Sequence, residues 1–302
     1  MTGYVIGMDG GGTKTEVLAA DRNKNLLFCS QGGGINYNSG RKDRIDSNLQ
    51  DLFQTLTENG FSKEACSAIC IGAAGISNPL VREQILAQVR LAGYRCPAVV
   101  VGDMETAFAG ALEQPYGMIL IVGTGSICYG KDPEGNTYRT GGYGHLIDDE
   151  GSAYAIGRDI LSAVVRARDG RLEPTILTEL VFDHLNINTI EELVRYVYQP
   201  DRNKKEIAGL SVLIEKAQEA GDRAAGGIIK KCASNLLELA APIIRRMDGE
   251  IHLAVSGSVL LKNKEILEEF TKQMNQSYPQ VVVQKPFNNA AYGAVRIALA
   301  SI

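Results

Sequence analysis

The stretch Tyr4-Val5-Ile6-Gly7-Met8-Asp9-Gly10-Gly11-Gly12-Thr13-Lys14-Thr15-Glu16-Val17-Leu18-Ala19-Ala20 decides the fold. An apolar run stops at an aspartate and three glycines, and a second apolar run starts at once, which predicts two strands joined by a glycine turn. A polar turn over residues 21–25 and a short third strand over 26–29 complete a β-meander. Glycine takes positive φ and brings backbone close to a ligand with no Cβ in the way, so successive N–H groups can converge on phosphate oxygens. Gly11 and Gly12 are candidates for such amides, Thr13 and Thr15 for hydroxyl donors, and Lys14 for a positive charge. Asp9, at the strand end, suits the water shell of a Mg²⁺ ion. The pattern is neither GxxxxGK[ST] nor GxGxxG, and a strand rather than a helix follows it. Taken alone, three glycines in a hairpin are more often just a turn.

Working outward, the spacing predicts a helix over 44–59, a strand over 68–72 and a helix over 81–92. A strand over 98–101 follows, ending at Gly102-Asp103, and then a small-residue helix over 106–112. Gln114-Pro115-Tyr116 marks a boundary, because the opening pattern then returns: an apolar strand over 117–122, the turn Gly123-Thr124-Gly125-Ser126, and a second strand over 127–130. The repeat is one of architecture, without residue-level similarity. Helices dominate 151–247, and a strand over 251–255 ends in a third turn, Ser256-Gly257-Ser258, where bare backbone would let an adenosine pack. The expected domains are 1–114, joined by a C-terminal helix 288–302, and 115–287, both mixed α/β.

A chain of 302 residues exceeds the usual size of one core, in keeping with two domains. Its 31 basic and 35 acidic residues give a net charge of −4, without the basic excess that marks a nucleic-acid binder. No apolar run approaches the roughly 18 residues that span a bilayer, and Met1-Thr2-Gly3-Tyr4 leads straight into a strand, so a cytoplasmic protein without membrane partners is expected. Six scattered cysteines, Cys29, Cys66, Cys70, Cys96, Cys128 and Cys232, read as free, mostly buried thiols. An iron–sulfur ligand set usually needs tight, repeated spacing that they lack.

The three turns, together with Gly141-Gly142-Tyr143-Gly144-His145 and Asp149-Glu150-Gly151-Ser152-Ala153-Tyr154, resemble the superfamily of actin, the heat-shock chaperone ATPases and the sugar kinases. Within it the chain is similar to the N-acetylglucosamine kinase branch of the BadF/BadG/BcrA/BcrD ATPase family, over nearly its whole length. The resemblance implies two α/β lobes of the actin-like ATPase (ribonuclease H-like) type with a nucleotide cleft between them, and a last helix returned to the first lobe. It implies a homodimer that uses ATP and Mg²⁺ to phosphorylate an amino sugar, N-acetylglucosamine at its C6 hydroxyl, with N-acetylmuramic acid and glucosamine open as acceptors.

By the same resemblance Asp103 is the general base, and Gly11, Gly12, Thr13, Lys14, Thr15, Gly123, Thr124, Gly125, Ser126, Ala208, Gly257 and Ser258 bind ATP. Asn36, Gly75, Asp103, Tyr143, Gly144, His145 and Asp149 contact the sugar. Each residue has a plainer reading. Asp103 could simply cap the helix beginning near Glu105, Asn36 could be a turn asparagine, and Asp148-Asp149-Glu150 a surface acidic run. Tyr143 stands where some relatives carry tryptophan and Asp148 where some carry glycine, which leaves open which carboxylate reaches the sugar. Two further readings from other classes stand beside this one. One is an ATPase activator of a dehydratase with a dimer-bridging iron–sulfur cluster, although the turn 123–126 carries no cysteine; the other is a chaperone-like nucleotide switch.

Overall fold

The N-terminal apolar run is the central strand of a five-stranded sheet in a computed structural model that describes residues 3–37, 41–76, 78–200 and 202–302. Met1 and Thr2, part of the reading of the N-terminus, lie outside the described residues. The chain divides into two units, Met1–Pro115 with Pro286–Ile302, and Tyr116–Lys285.

The first unit runs β1 (Tyr4–Gly10), β2 (Lys14–Ala20), β3 (Leu26–Gly33), α1 (Lys42–Glu58), β4 (Cys66–Ala73), α2 (Pro79–Leu91), β5 (Ala98–Gly102) and α3 (Asp103–Ala111). Its sheet has the order β3-β2-β1-β4-β5, antiparallel through β3-β2-β1 and parallel through β1-β4-β5. β1 is buried on both faces, which is why its sequence is an unbroken apolar run rather than an alternating one. On one face Ile45, Leu49, Leu52, Phe53 and Leu56 of α1 join Ile6, Met8, Ile69 and Ile71 in a single core. β3 continues four residues beyond the strand expected at 26–29. Its polar Gln31-Gly32-Gly33 has no apolar signal, and pairing with β2 up to Lys14 opposite Gly33 sustains it.

The second unit begins with β6 (Gly117–Val122), β7 (Ser126–Lys131) and β8 (Thr137–Gly141). The helices α4 (Ala153–Arg168), α5 (Leu177–Leu185), α6 (Ile190–Val197), α7 (Lys204–Gly209), α8 (Leu213–Glu219) and α9 (Arg223–Ile244) follow. β9 (Ile251–Ser256), α10 (Ser258–Lys262), α11 (Lys264–Ser277) and β10 (Val281–Gln284) complete it. The order β10-β9-β6-β7-β8 repeats that of the first sheet strand for strand, so the shared opening pattern extends to a shared topology. β8, a polar edge strand, gave no sequence signal. Among the described residues no helix is long and apolar enough to cross a membrane.

The last helix, α12 (Ala290–Leu299), packs on β1 in the first unit with small residues, its Ala291, Ala294 and Val295 meeting Val5 and Leu18. Glycines let it approach closely. A Cβ at Gly7 would collide with the Val295 backbone, and one at Gly293 with the Thr106 carbonyl and the Gly110 backbone of α3. From α12, the Arg296 guanidinium donates to the carbonyls of Ala109 at 2.6 Å, Glu113 at 2.8 Å and Leu112, adding to the bonds that the Phe287 and Asn288 amides give the Ala111 and Gly110 carbonyls at the carboxyl end of α3. Helix α12 therefore fixes α3, which begins with Asp103. Gly293→Ala is expected to lower stability by about 2 kcal/mol or more, because backbone on the facing helix has no rotamer with which to yield; urea unfolding followed by circular dichroism measures it.

Candidate active site

The parallel strands β1, β4 and β5 all end at one edge of the first sheet. Register places Gly10 beside Ala73, and Ala73 beside Gly102, so the glycine turn after Asp9, the turn at Gly75 and the start of α3 come together there. Such carboxyl ends are where open α/β sheets bind ligands. In the glycine turn the Gly11 amide donates to the Lys14 carbonyl at 3.0 Å, and the Ile35 amide donates to the Gly11 carbonyl at 3.1 Å. The turn is thus braced against Gly34-Ile35, and Asn36 follows directly. Gly12, Thr13 and Lys14 are exposed and available to a ligand. Thr15 is not: it is fully buried, and its hydroxyl donates to the Gly33 carbonyl at 2.8 Å, so it braces the hairpin rather than offering a donor.

Asp103 does not cap a helix beginning near Glu105. Helix α3 starts at Asp103 itself, and Glu105 does the capping, its Oε1 accepting from the Gly102 amide at 2.9 Å. The exposed Asp103 carboxylate accepts from the Met104 amide at 3.0 Å. Thr106, one turn on, donates its hydroxyl to the Asp103 carbonyl at 2.9 Å. The Asp9 carboxyl is pushed up to about 6, first by burial, then by the negative charges of Asp103 and Glu16, against the opposing pull of Lys14 and Thr106. Glu16 in turn accepts from the Asn289 side chain at 3.1 Å, and Asn289 also caps α12 through the Tyr292 amide.

In the second unit β6 and β9 run parallel, with Ile121 beside Ser256, so the turns 123–126 and 256–258 lie side by side. Gly257 takes φ 88° and passes so near the Val122 backbone that no Cβ fits. A cavity of about 480 Å³ opens here, with Thr124, Ala153, Ile156, Ala208, Ser258 and Val259 among its lining residues. Its size suits a nucleoside, and its buried apolar part suits a base. The charged Lys205, Glu215 and Lys262 on the same cavity carried no sequence signal, being ordinary solvated helix residues in a linear reading.

Ser126 is 3% exposed; its amide donates to Asp149 Oδ1 at 3.3 Å and its hydroxyl to the Glu150 carbonyl at 2.8 Å. Asp149 is equally buried, and its neighbour Asp148 accepts from the Tyr143 amide at 3.0 Å. Both carboxylates therefore have partners inside the unit. On the loop after β8, Tyr143 is 67% exposed with the Arg139 guanidinium 5.2 Å from its ring centroid, and His145 meets Tyr154 edge-on at 4.8 Å. Cys128 is fully buried in β7, its thiol pushed up to about 12 by burial, and so offers no thiolate to a surface cluster.

Two units of one topology, each opening on strand, glycine turn and strand, define a two-unit α/β fold. The chain belongs to the BadF/BadG/BcrA/BcrD ATPase family, whose model matches residues 6–298. It is 38% identical over 299 residues to an N-acetylmuramic acid/N-acetylglucosamine kinase of Clostridium acetobutylicum, covering 98% of each chain. It is 27% identical to an N-acetyl-D-glucosamine kinase of Dictyostelium discoideum, again covering 98% of each. Its fold matches the crystal structure of a provisionally assigned N-acetylglucosamine kinase from Chromobacterium violaceum with a TM-score of 0.79 at 22% identity, covering 98% of this chain and 99% of that one.

The raised Asp9 carboxyl has a direct consequence. The folded protein binds its proton more tightly than the unfolded chain, whose value is 3.8, so stability falls as pH rises from about 4 to 6 and then levels off. Asp9→Asn removes the charge that burial and Asp103 oppose. The ligand-free variant is expected to be more stable than the parent by about 1–3 kcal/mol at pH 8, with the gain vanishing below pH 4. Urea titrations across this range check it, and an equal effect at every pH would contradict it.

Proposed function

We propose that the chain is an ATP-dependent amino-sugar kinase that moves the γ-phosphoryl group of ATP to the C6 hydroxyl of N-acetylglucosamine. The observation that carries the reading is the exposed Asp103 carboxylate at the end of β5, at the same sheet edge as the glycine turn and Asp9. N-acetylmuramic acid is the second acceptor, supported by 38% identity to a kinase named for both sugars.

Phosphoryl transfer has a loose transition state, so the protein's tasks are alignment, late acceptance of the hydroxyl proton and neutralisation of charge on the phosphoryl oxygens. Asp103 takes the proton from the sugar hydroxyl as that oxygen bonds to phosphorus. Lys14 and the amides of Gly12 and Thr13 are assigned to phosphate on this reading, and so are the amides of Thr124 and Gly125. Ala208, Gly257 and Ser258 hold the base and its ribose. Gly11 shapes the first turn. Asn36, Gly75 and the segment Tyr143, Gly144, His145 and Asp149 orient the sugar.

Asp9 fits a hydrated Mg²⁺: a partly buried carboxylate already repelled by Asp103 and Glu16 gains from a nearby cation, and Mg²⁺ keeps its waters when one carboxylate and the phosphates hold it. That ion would neutralise phosphate charge. The working form is a homodimer in the cytoplasm.

Asp103→Asn is expected to lower kcat by about 100-fold or more while ADP affinity stays within about 2-fold. Retained turnover removes Asp103 from the base role. Ala208→Phe, filling the cavity wall, is expected to raise KM for ATP at least about 10-fold with KM for the sugar little changed, as one blocked apolar subsite predicts. ADP release assayed with N-acetylglucosamine, N-acetylmuramic acid and glucosamine tests the acceptor, and failure of all three would sink the reading.

A further inference from the structure

Asp149 adopts φ 65°, a left-handed conformation uncommon outside glycine, although its side chain is only 3% exposed. That conformation turns its carboxylate against the second glycine turn. Oδ1 accepts from the Ser126 amide at 3.3 Å, and both oxygens lie where a Cβ on Gly125 would come within 2.8 Å of them. The residues that follow continue the attachment: Ser126 Oγ donates to the Glu150 carbonyl at 2.8 Å, the Ala153 amide to the Gly123 carbonyl at 2.9 Å, and the Tyr154 amide to the Thr124 carbonyl at 3.4 Å. Ser152 secures the strap to α4 by accepting from the Ala155 amide at 3.2 Å.

A turn with glycine at two of its four positions has many backbone conformations to lose, and its amides converge on one point only if something outside the turn holds them. Within 123–126, the Gly123 amide donates to the Gly125 carbonyl at 2.9 Å and the Ser126 amide to Asp149. The amides of Thr124 and Gly125 donate to no acceptor among the described residues, which leaves them for a ligand. We propose that Asp149 is a positioning residue for this turn, its carboxylate and left-handed backbone together aiming the Thr124 and Gly125 amides at nucleotide phosphate. This task is separate from any contact with the sugar, and it rests on the kinase reading only in taking the turn as a phosphate site.

ADP titrated calorimetrically into the protein without sugar tests it, with the thermal midpoint of each variant measured alongside. Asp149→Ala loses both the acceptor and the tolerance for positive φ, and is expected to weaken ADP by about 10-fold or more, the loss that goes with one charge-assisted hydrogen bond. Asp149→Asn keeps an acceptor and tolerates the backbone, so its affinity stays within about 3-fold of the parent. Asp149→Gly keeps the conformation alone; it separates backbone from hydrogen bond, and substitutes for the Ala variant should that one not fold. Parental ADP affinity in a folded Ala or Gly variant overturns the proposal, and so do equal losses in Asn and Ala. A parent protein that binds no ADP would fail the kinase reading itself, a result distinct from variants that bind as the parent does.

Discussion

Asp9 and Asp103 repel one another, and the first unit is built so that neither can leave. Asp9 lies one residue before the end of β1, hydrogen-bonded into a sheet on both sides, and Asp103 opens α3 at the end of β5. Thr106 is tied to the Asp103 carbonyl by its hydroxyl and, beside Asp9, opposes part of the rise in the Asp9 pKa. The cost appears in the Asp9 carboxyl, which burial and the charge of Asp103 push up to about 6. Holding like charges close in a partly desolvated place is unfavourable for the empty protein, and it creates an attraction for any cation that comes between them. The sheet edge is therefore strained electrostatically in the direction that a cation relieves.

That arrangement tolerates little movement, and the packing behind it supplies the rigidity. α12 approaches β1 and α3 at the glycines Gly7, Gly110 and Gly293, where side chains would hold the elements apart. α3 also lies directly on the end of β4, since a Cβ at Gly72 would come within 2.5 Å of Thr106. Arg296 then occupies the carbonyls at the far end of α3. A residue near the carboxyl end of the chain thereby controls the helix whose first residue is the candidate base, which explains why the last helix belongs to the first unit.

The architecture was legible in the sequence because its signals are local: apolar runs of strand length, glycine turns between them, and the same opening twice. Asp103 could be singled out, but its helix was expected to start three residues late, because the capping carboxylate is Glu105 and a reading by N-cap preference looks for the acidic side chain before the helix, not inside its first turn. In the sequence Thr15 reads as a hydroxyl donor for phosphate, and Ser126 as an ATP-binding residue. Their direction is set by the pleat and by a strap 24 residues away, neither of which a linear motif encodes. The rim charges Lys205, Glu215 and Lys262 were illegible for the same reason: only the packing of α7, α8 and α10 brings them to one cavity.

The two glycine turns share a topology yet are held by different means, and the difference follows from what each carries. The first has a lysine and a threonine of its own at its exposed tip, and is held by the Gly11–Lys14 and Ile35–Gly11 bonds, the Thr15 hydroxyl on the Gly33 carbonyl and close packing against Gly34. The second has no cation and fewer exposed donors, so its usefulness to an anion depends on the aim of two backbone amides. Amides are weak charges that act only when pre-aligned, because turning them on binding would cost the conformational freedom that glycine provides. A buried aspartate in a strained conformation is an expensive way to fix a turn. It persists where the turn must be fixed before the ligand arrives, and that is the state in which the strap over residues 149–154 holds it.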